Sequence, residues 1–98
     1  MNIPTWAKQL GLTTHKRLEK YVLDAYLSGK YQSGLDIVVY QQQPYTHAII
    51  ETGTLAGGFW HGYAKCNPSD EWNSILGEQI AIVRAARNMF RSWQEYIQ

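Results

Sequence analysis

Aromatic and basic side chains alternate along one short stretch of the sequence, from Phe59 to Cys66. Successive side chains of a β-strand point to opposite faces. One face of this strand would carry Phe59, His61, Tyr63 and Lys65. Rings beside cationic groups are typical of surfaces that stack on nucleobases, where each base contributes about 1–3 kcal/mol. We interpret Phe59 and Tyr63 as ligand-binding residues and His61 and Lys65 as further candidates, although a strand face buried in a protein interface shows the same pattern.

Three arginines follow at helical spacing: Arg84, Arg87 and Arg91. Positions i, i+3 and i+7 lie on one side of a helix, and such stripes usually form the solvated face. We expect Arg84 to differ, because Ala81 and Ala85 beside it leave room for a ligand or another subunit. A guanidinium can bind phosphate through two parallel hydrogen bonds. Arg84 is the predicted phosphate-binding residue, and Arg87 is a further candidate.

The junction Asn67-Pro68 between these two segments is typical of the start of a helix. Asn67 would be the N-cap, and Pro68 would take the first helical position, where a missing N–H costs nothing. Such a junction stabilises the helix, and it also presents free backbone donors to an anionic ligand. We therefore add Asn67 to the predicted ligand-binding residues.

Catalytic and metal-binding patterns are not found in the sequence. His15, His47 and His61 lack the spacing of metal ligands, and Cys66 has no partner thiol. The carboxylates form no nucleophile–base pair or paired-acid arrangement, and there is no phosphate-binding loop or dinucleotide fingerprint. We expect a protein that is not an enzyme and that uses no cofactor and no metal.

Composition narrows the class of protein further. The 98 residues are 45% hydrophobic and 17% charged, which is typical of one globular domain. Four tryptophans, seven tyrosines and two phenylalanines exceed what a small core can hide, so we expect a homo-oligomer. A net charge of +1 makes nucleic acid an unlikely partner. A single cysteine, no apolar run of membrane-spanning length and no signal-peptide pattern lead us to expect a cytoplasmic protein with no membrane partner.

Hydrophobic periodicity predicts an α+β fold for a single domain of residues 1–98, with an N-terminal helix, about three antiparallel strands and a long C-terminal helix. A short helical turn would begin at Thr5, and a longer helix would run from a cap at Thr13 or Thr14 to Gly29. The buried face of that longer helix would comprise Leu18, Tyr21, Val22, Ala25 and Tyr26.

The remaining elements form the predicted sheet and its covering helix. The predicted strands are Leu35–Tyr40, Thr46–Glu51 and Phe59–Cys66, with a turn at Gln41–Pro44. The last helix would run from about Pro68 to Tyr96. Its buried stripe would consist of Trp72, Leu76, Ile80, Val83, Ala86, Phe90, Trp93 and Ile97.

The run Gly62-x-Ala64-x-Cys66-Asn67-Pro68-x-Asp70, followed by Gly77, Ala81, Arg84 and Ala85, resembles the C-terminal half of the phage Thoeris anti-defence sponges of the first described family. The resemblance covers about residues 59–86. It implies an oligomer of sheet and helices that sequesters a cyclic ADP-ribose isomer between protomers, without cleaving it, and that holds cyclic oligonucleotides at a separate site. The family's asparagine before the helix and arginine within it match Asn67 and Arg84, and Phe59 is the nearest match to its aromatic residue.

Other classes of function remain open at this point. Ala7 to Thr13 imitates part of a DNA-binding helix-turn-helix, with four side chains available to face phosphate: His15, Lys16, Arg17 and Lys20. The order of elements is also that of double-stranded RNA-binding domains, but Asp70 and Glu71 stand where those modules need lysines. A phage protein that inhibits a host defence protein by direct contact would also fit the aromatic strand face.

Overall fold

A computed structural model describes residues 3–29, 35–52 and 58–95, and it has the predicted α+β architecture. The elements are α1 (Thr5–Gln9), α2 (His15–Ser28), β1 (Leu35–Gln42), β2 (Tyr45–Thr52), β3 (Phe59–Lys65) and α3 (Ser74–Glu95). The three strands form one antiparallel sheet in the order β1-β2-β3. No helix within the described ranges has the length and apolar character needed to cross a membrane.

The N-terminal helices begin and end at the residues that the sequence indicates. Thr14 caps α2, and its hydroxyl accepts a hydrogen bond from the backbone nitrogen of Arg17 at 3.3 Å. Gly29 ends α2 in the left-handed conformation, with φ of 70°. The residues of α2 that are buried are Leu18, Val22 and Ala25. Trp6 of α1 meets Trp93 of α3 edge to face, with ring centroids 5.9 Å apart.

The hairpin of β1 and β2 is longer than predicted. Each strand extends toward the turn, so that Gln42 pairs with Tyr45 and only Gln43 and Pro44 remain between them. Pro44 occupies the turn because it has no N–H to donate to a ladder. This register decides which side chains of the two strands share a face, and it places Tyr40 opposite His47.

The helix α3 covers one face of the sheet, chiefly beneath β2 and β3, and α2 packs along α3. The contact between α3 and β3 is close at Gly62, where an added Cβ would overlap the carbonyl oxygen of Ala81 and the backbone nitrogen of Ala85. Half-buried Trp60 strengthens the same contact, since its indole nitrogen donates to the Ser92 hydroxyl at 2.8 Å. The small residues Gly62 and Ala64, on the face of β3 opposite to His61 and Tyr63, therefore pack under the helix.

The start of α3 is a correction to the sequence analysis, because the helix begins at Ser74 and not at Pro68. Asn67 folds back on its own segment: its side-chain oxygen accepts from the backbone nitrogen of Ser69 at 3.1 Å. Its carbonyl accepts from the backbone nitrogen of Asp70 at 2.9 Å, which closes a turn. Asn73 is the residue that caps the helix, through a 3.0 Å bond from the backbone nitrogen of Leu76. Tyr96, the predicted last residue, lies outside the described residues.

The predicted buried stripe of α3 is right in the second half of the helix and wrong in the first. Ala86, Phe90 and Trp93 are buried, whereas Leu76 is 51% exposed and Ile80 is 36% exposed. Further along the helix, contact with both the sheet and α2 widens the buried face, which also takes in Ala81, Ile82, Ala85 and Met89. Trp72 lies half-buried before the helix begins, and Ile97 is outside the described residues.

The substitution Gly62→Ala tests the close contact of α3 with β3. The new methyl group would overlap backbone atoms of α3, which cannot move aside as a side chain can. We expect a loss of about 3 kcal/mol or more in the free energy of unfolding, measured by urea denaturation. Gly58→Ala is the control, because its added Cβ would meet only the Trp60 side chain, at 3.4 Å. Equal stability of the two variants would contradict the contact.

Candidate functional site

The face of the sheet that α3 does not cover, which we call the open face, carries twelve side chains in four cross-strand rows. The rows are Asp36, Glu51 and Phe59; Val38, Ile49 and His61; Tyr40, His47 and Tyr63; and Gln42, Tyr45 and Lys65. Four aromatic rings on this face are between 56% and 63% exposed: Tyr40, Tyr45, Phe59 and Tyr63. The predicted aromatic and basic face of β3 is thus present, and β1 and β2 extend it.

The third row forms a line of rings across the sheet, in which His47 stacks on Tyr63 and Tyr40 is tilted by 40° from His47. The rings of Tyr40 and His47 have centroids 6.2 Å apart, and those of His47 and Tyr63 are 4.4 Å apart and 13° from parallel. His47 therefore covers one face of the Tyr63 ring. The other face of that ring points away from His47, past β3, which is an edge strand of the sheet. The exposed ring of Tyr63 thus keeps a stacking surface at the border of the open face.

Two histidines on the open face are directly bonded to each other. Nε2 of His47 lies 2.8 Å from Nδ1 of His61, so one ring nitrogen donates and the other accepts. Partial burial lowers the pKa of His47 below its usual value, and the nearby charge on His61 lowers the pKa further. His47 therefore accepts a proton with more difficulty than a free imidazole does.

Side chains of α3 bind the outer edge of β3. The Arg84 guanidinium donates through Nη1 to the carbonyl oxygen of Tyr63 at 2.7 Å, and the Asn88 amide donates to the carbonyl oxygen of His61, also at 2.7 Å. The spacing of the two donors on the helix fits the spacing of the two carbonyl groups on the strand. Four residues of helix rise about 6.0 Å, and two residues of strand rise about 6.6 Å. Exposed Arg84 is therefore held beside the residue whose ring faces outward.

The structure brings together two of the predicted site residues, Tyr63 and Arg84. Small neighbours do not give Arg84 room for a ligand, so that part of the prediction is wrong. The space beside Ala81 and Ala85 is filled by Gly62 of β3. The role of Arg84 now depends on its position at the strand edge, where it reaches the strand of Tyr63 within a single chain.

Other predicted residues lie elsewhere. Phe59 is at the opposite end of β3, about 13 Å along the strand from Tyr63, so the two rings do not share one stacked base. The Lys65 ammonium lies 5.6 Å from the centre of the Tyr45 ring. Arg87 forms an ion pair with Glu19 of α2 at 3.2 Å, and the Glu19 side chain is only 12% exposed.

Asn67 belongs to a separate groove of about 210 Å³ between the end of β3 and the start of α3. Its side-chain oxygen is occupied by the backbone nitrogen and the hydroxyl of Ser69, at 3.1 Å and 3.0 Å. The groove is also lined by Asp70, Glu71 and Trp72. The predicted role of Asn67 as a helix cap with free backbone donors behind it is wrong, since those donors now belong to a turn.

Tyr40 and His47, which share the third row with Tyr63, were not predicted from the sequence as residues of this surface. The strand pattern of β1 and β2 was visible, and the hairpin was predicted. The missing step was the exact length of the turn: a two-residue turn at Gln43 and Pro44 pairs Tyr40 with His47, whereas a four-residue turn gives a different pairing. The alternation of residues along the strands therefore contained the information, but the pairing of Tyr40 with His47 also depended on where the turn begins and ends.

The sequence matches no family model and no curated protein. Among the residues that the structure describes, no group of three or more His, Cys, Asp or Glu side chains is placed to hold a metal ion.

The histidine pair predicts a dependence of stability on pH. Unfolded His47 has a pKa near 6.5 and folded His47 a lower one, so the unfolded chain binds more protons between these values. The contribution of His47 to stability is complete above about pH 6.5 and is lost as the pH falls. We expect the melting temperature of the parent to fall more steeply with acidification than that of His47→Gln, which cannot be protonated. Parallel pH profiles of the two proteins would contradict this assignment.

Proposed function

We propose that this protein binds a nucleotide at the outer edge of β3 and holds it without chemical conversion. The observation that carries the proposal is that Arg84 donates to the backbone carbonyl of Tyr63, the residue whose exposed ring is covered by His47 on one face. A base would stack on the outer face of Tyr63, and a phosphate would bind the guanidinium. The Arg84 guanidinium has five N–H donors and uses one of them for the carbonyl oxygen of Tyr63. The remaining donors can bind a phosphate at the same time.

The resemblance to the phage Thoeris anti-defence sponges supports a particular ligand class and a particular role. The ligand would be a cyclic nucleotide immune signal. A cyclic ADP-ribose isomer is the first candidate, and cyclic oligonucleotides are the second. The protein would act as an anti-defence protein in the cytoplasm of a phage-infected host cell and deplete the signal by sequestering it. Arg84 carries this argument, whereas Asn67, the other residue that matches the family's motif, lies in the separate groove at the start of α3.

Direct inhibition of a host defence protein is the second candidate, and one surface favours it. Ile75 and Leu76, at the start of α3, are 64% and 51% exposed, which is unusual for large apolar side chains on an amphipathic helix. The DNA-binding alternative is weaker, because Lys20 on α2 is paired with Asp24 at 2.9 Å. Thermal stabilisation by small nucleotides separates the first candidate from both others, since only a nucleotide-binding protein gains stability from them.

Calorimetric titration with cyclic ADP-ribose isomers tests the proposed residues. Arg84→Ala removes a charged hydrogen bond worth about 1.5–3 kcal/mol, so we expect affinity to fall by roughly one to two orders of magnitude. Tyr63→Ala removes a stacked ring and should weaken binding about fivefold to a hundredfold. Melting temperatures close to that of the parent would show that both variants remain folded.

Each variant has a matched control on the same element or the same face. Arg91→Ala removes an equal charge further along α3, and Tyr63→Phe keeps the ring on the open face while removing only its hydroxyl. Both controls should bind as the parent does. If the parent binds no cyclic nucleotide, or if Arg84→Ala and Tyr63→Ala bind as tightly as the parent, the proposal is wrong and direct protein inhibition becomes the leading candidate.

A further inference from the structure

The geometry points to the open face as the surface on which a second copy of this chain docks, so that two sheets stack about a two-fold axis running across the strands. This inference goes beyond the proposed function, since no ligand enters its argument or its test. Three observations carry it: the size of the face, the state of the sheet edge, and the distribution of charge over the four rows.

The open face is large enough for a stable dimer. A Phe or Tyr side chain offers about 150–250 Å² of contact surface, and four rings of this face are more than half exposed. With the other eight side chains, the face offers on the order of 800 Å², which is the area that each partner contributes to a standard interface. Its middle rows also carry the aliphatic residues Val38 and Ile49, which suit the centre of an interface.

The outer edge of β3 is closed to strand addition. Two of its outward carbonyl oxygens, those of His61 and Tyr63, are already bonded to Asn88 and Arg84. Side chains placed there block a neighbouring chain from extending the ladder along β3. Self-association by strand addition along β3 is therefore blocked, and the open face on the same side of the molecule stays available.

The two ends of the open face carry opposite charges. Asp36 and Glu51 stand directly opposite each other in the first row, where like charges destabilise a pair of strands. In the part of the chain that the structure describes, neither carboxylate forms an ion pair. Lys65 in the fourth row also lacks an acidic partner there. The carboxylates at one end of the face and the ammonium group at the other end could therefore pair with each other across an interface between two copies.

Two identical faces can stack about a two-fold axis that runs along the strands or across them, and the charges favour the axis across the strands. With a two-fold axis along the strands, each row would meet the same row, and Glu51 would face its own copy. With the axis across the strands, the first row meets the fourth and the second meets the third. Glu51 then faces the partner subunit's Tyr45 and comes within reach of the partner subunit's Lys65. The aliphatic Val38 packs on the partner subunit's Tyr40.

This arrangement also stacks the two copies of β3 on each other. The outer edges of both strands then lie along one border of the dimer, with two copies each of Tyr63 and Arg84. A ligand bound at this border would contact both protomers, while the outer ring face of Tyr63 stays free because it points past the sheet. The dimer and the nucleotide site are therefore compatible.

Analytical ultracentrifugation of charge-swapped variants tests the proposed axis. The parent should sediment as a dimer of twice the 11.3 kDa chain mass. Glu51→Lys alone and Lys65→Glu alone each bring like charges together, so we expect the dimer dissociation constant to rise at least about tenfold. The double variant restores opposite charges across the interface and should recover dimerisation. A double variant no better than the single ones would overturn the axis across the strands.

A second pair of variants tests the face itself. Tyr40→Glu places a charge at the centre of the open face and should abolish the dimer, while Leu27→Glu on α2, an exposed apolar residue away from the sheet, should leave it intact. Circular dichroism would verify that both remain folded. A monomeric parent at the highest soluble concentration would overturn the proposal. A dimer that survives Tyr40→Glu but dissociates on Ile80→Glu would overturn it too, and would assign the interface to the start of α3.

Discussion

The close contact between Gly62 and the backbone of α3 determines the rest of this structure. Because Gly62 has no side chain, β3 lies directly against Ala81 and Ala85, and the helix axis is fixed beneath the edge strand. Only at this distance can Arg84 and Asn88 reach the outer carbonyl oxygens of the strand. The same contact commits one face of the sheet to the core and leaves the other open. The edge, the open face and the candidate site are all consequences of it.

The fold was largely predictable because its signals are local. Thr14 and Gly29 mark the ends of α2, and alternation over residues 35–52 marks a hairpin. The start of α3 was not predictable in the same way, since Asn67 and Asn73 are both good caps, and the choice depends on how the chain leaves β3. Burial of Leu76 and Ile80 was predicted from periodicity alone, which does not tell whether another element lies opposite them.

The candidate site was predictable residue by residue but not as an arrangement. Residue types identified Tyr63 and Arg84, since stacking rings and guanidinium groups are recognisable in any sequence. Their proximity depends on which edge of the sheet α3 follows, and this is a tertiary property. The contribution of His47 to the ring stack depends on the hairpin register, which a shift of one residue would reverse. Phe59 and Asn67 were the other two residues predicted to bind the ligand, apart from the further candidates. The length of β3 and the turn after it separate them from the pair.

The central claim is that the outer ring face of Tyr63 and the guanidinium of Arg84 form one nucleotide site. Nuclear magnetic resonance tests it most directly, by titrating isotope-labelled protein with a cyclic ADP-ribose isomer and following the Tyr63 ring and Arg84 guanidinium signals. The account predicts that these two signals shift together with a single affinity, and that the signals of the groove around Asn67 and Trp72 change less. Shifts confined to that groove, or the absence of shifts at both Tyr63 and Arg84, would contradict it.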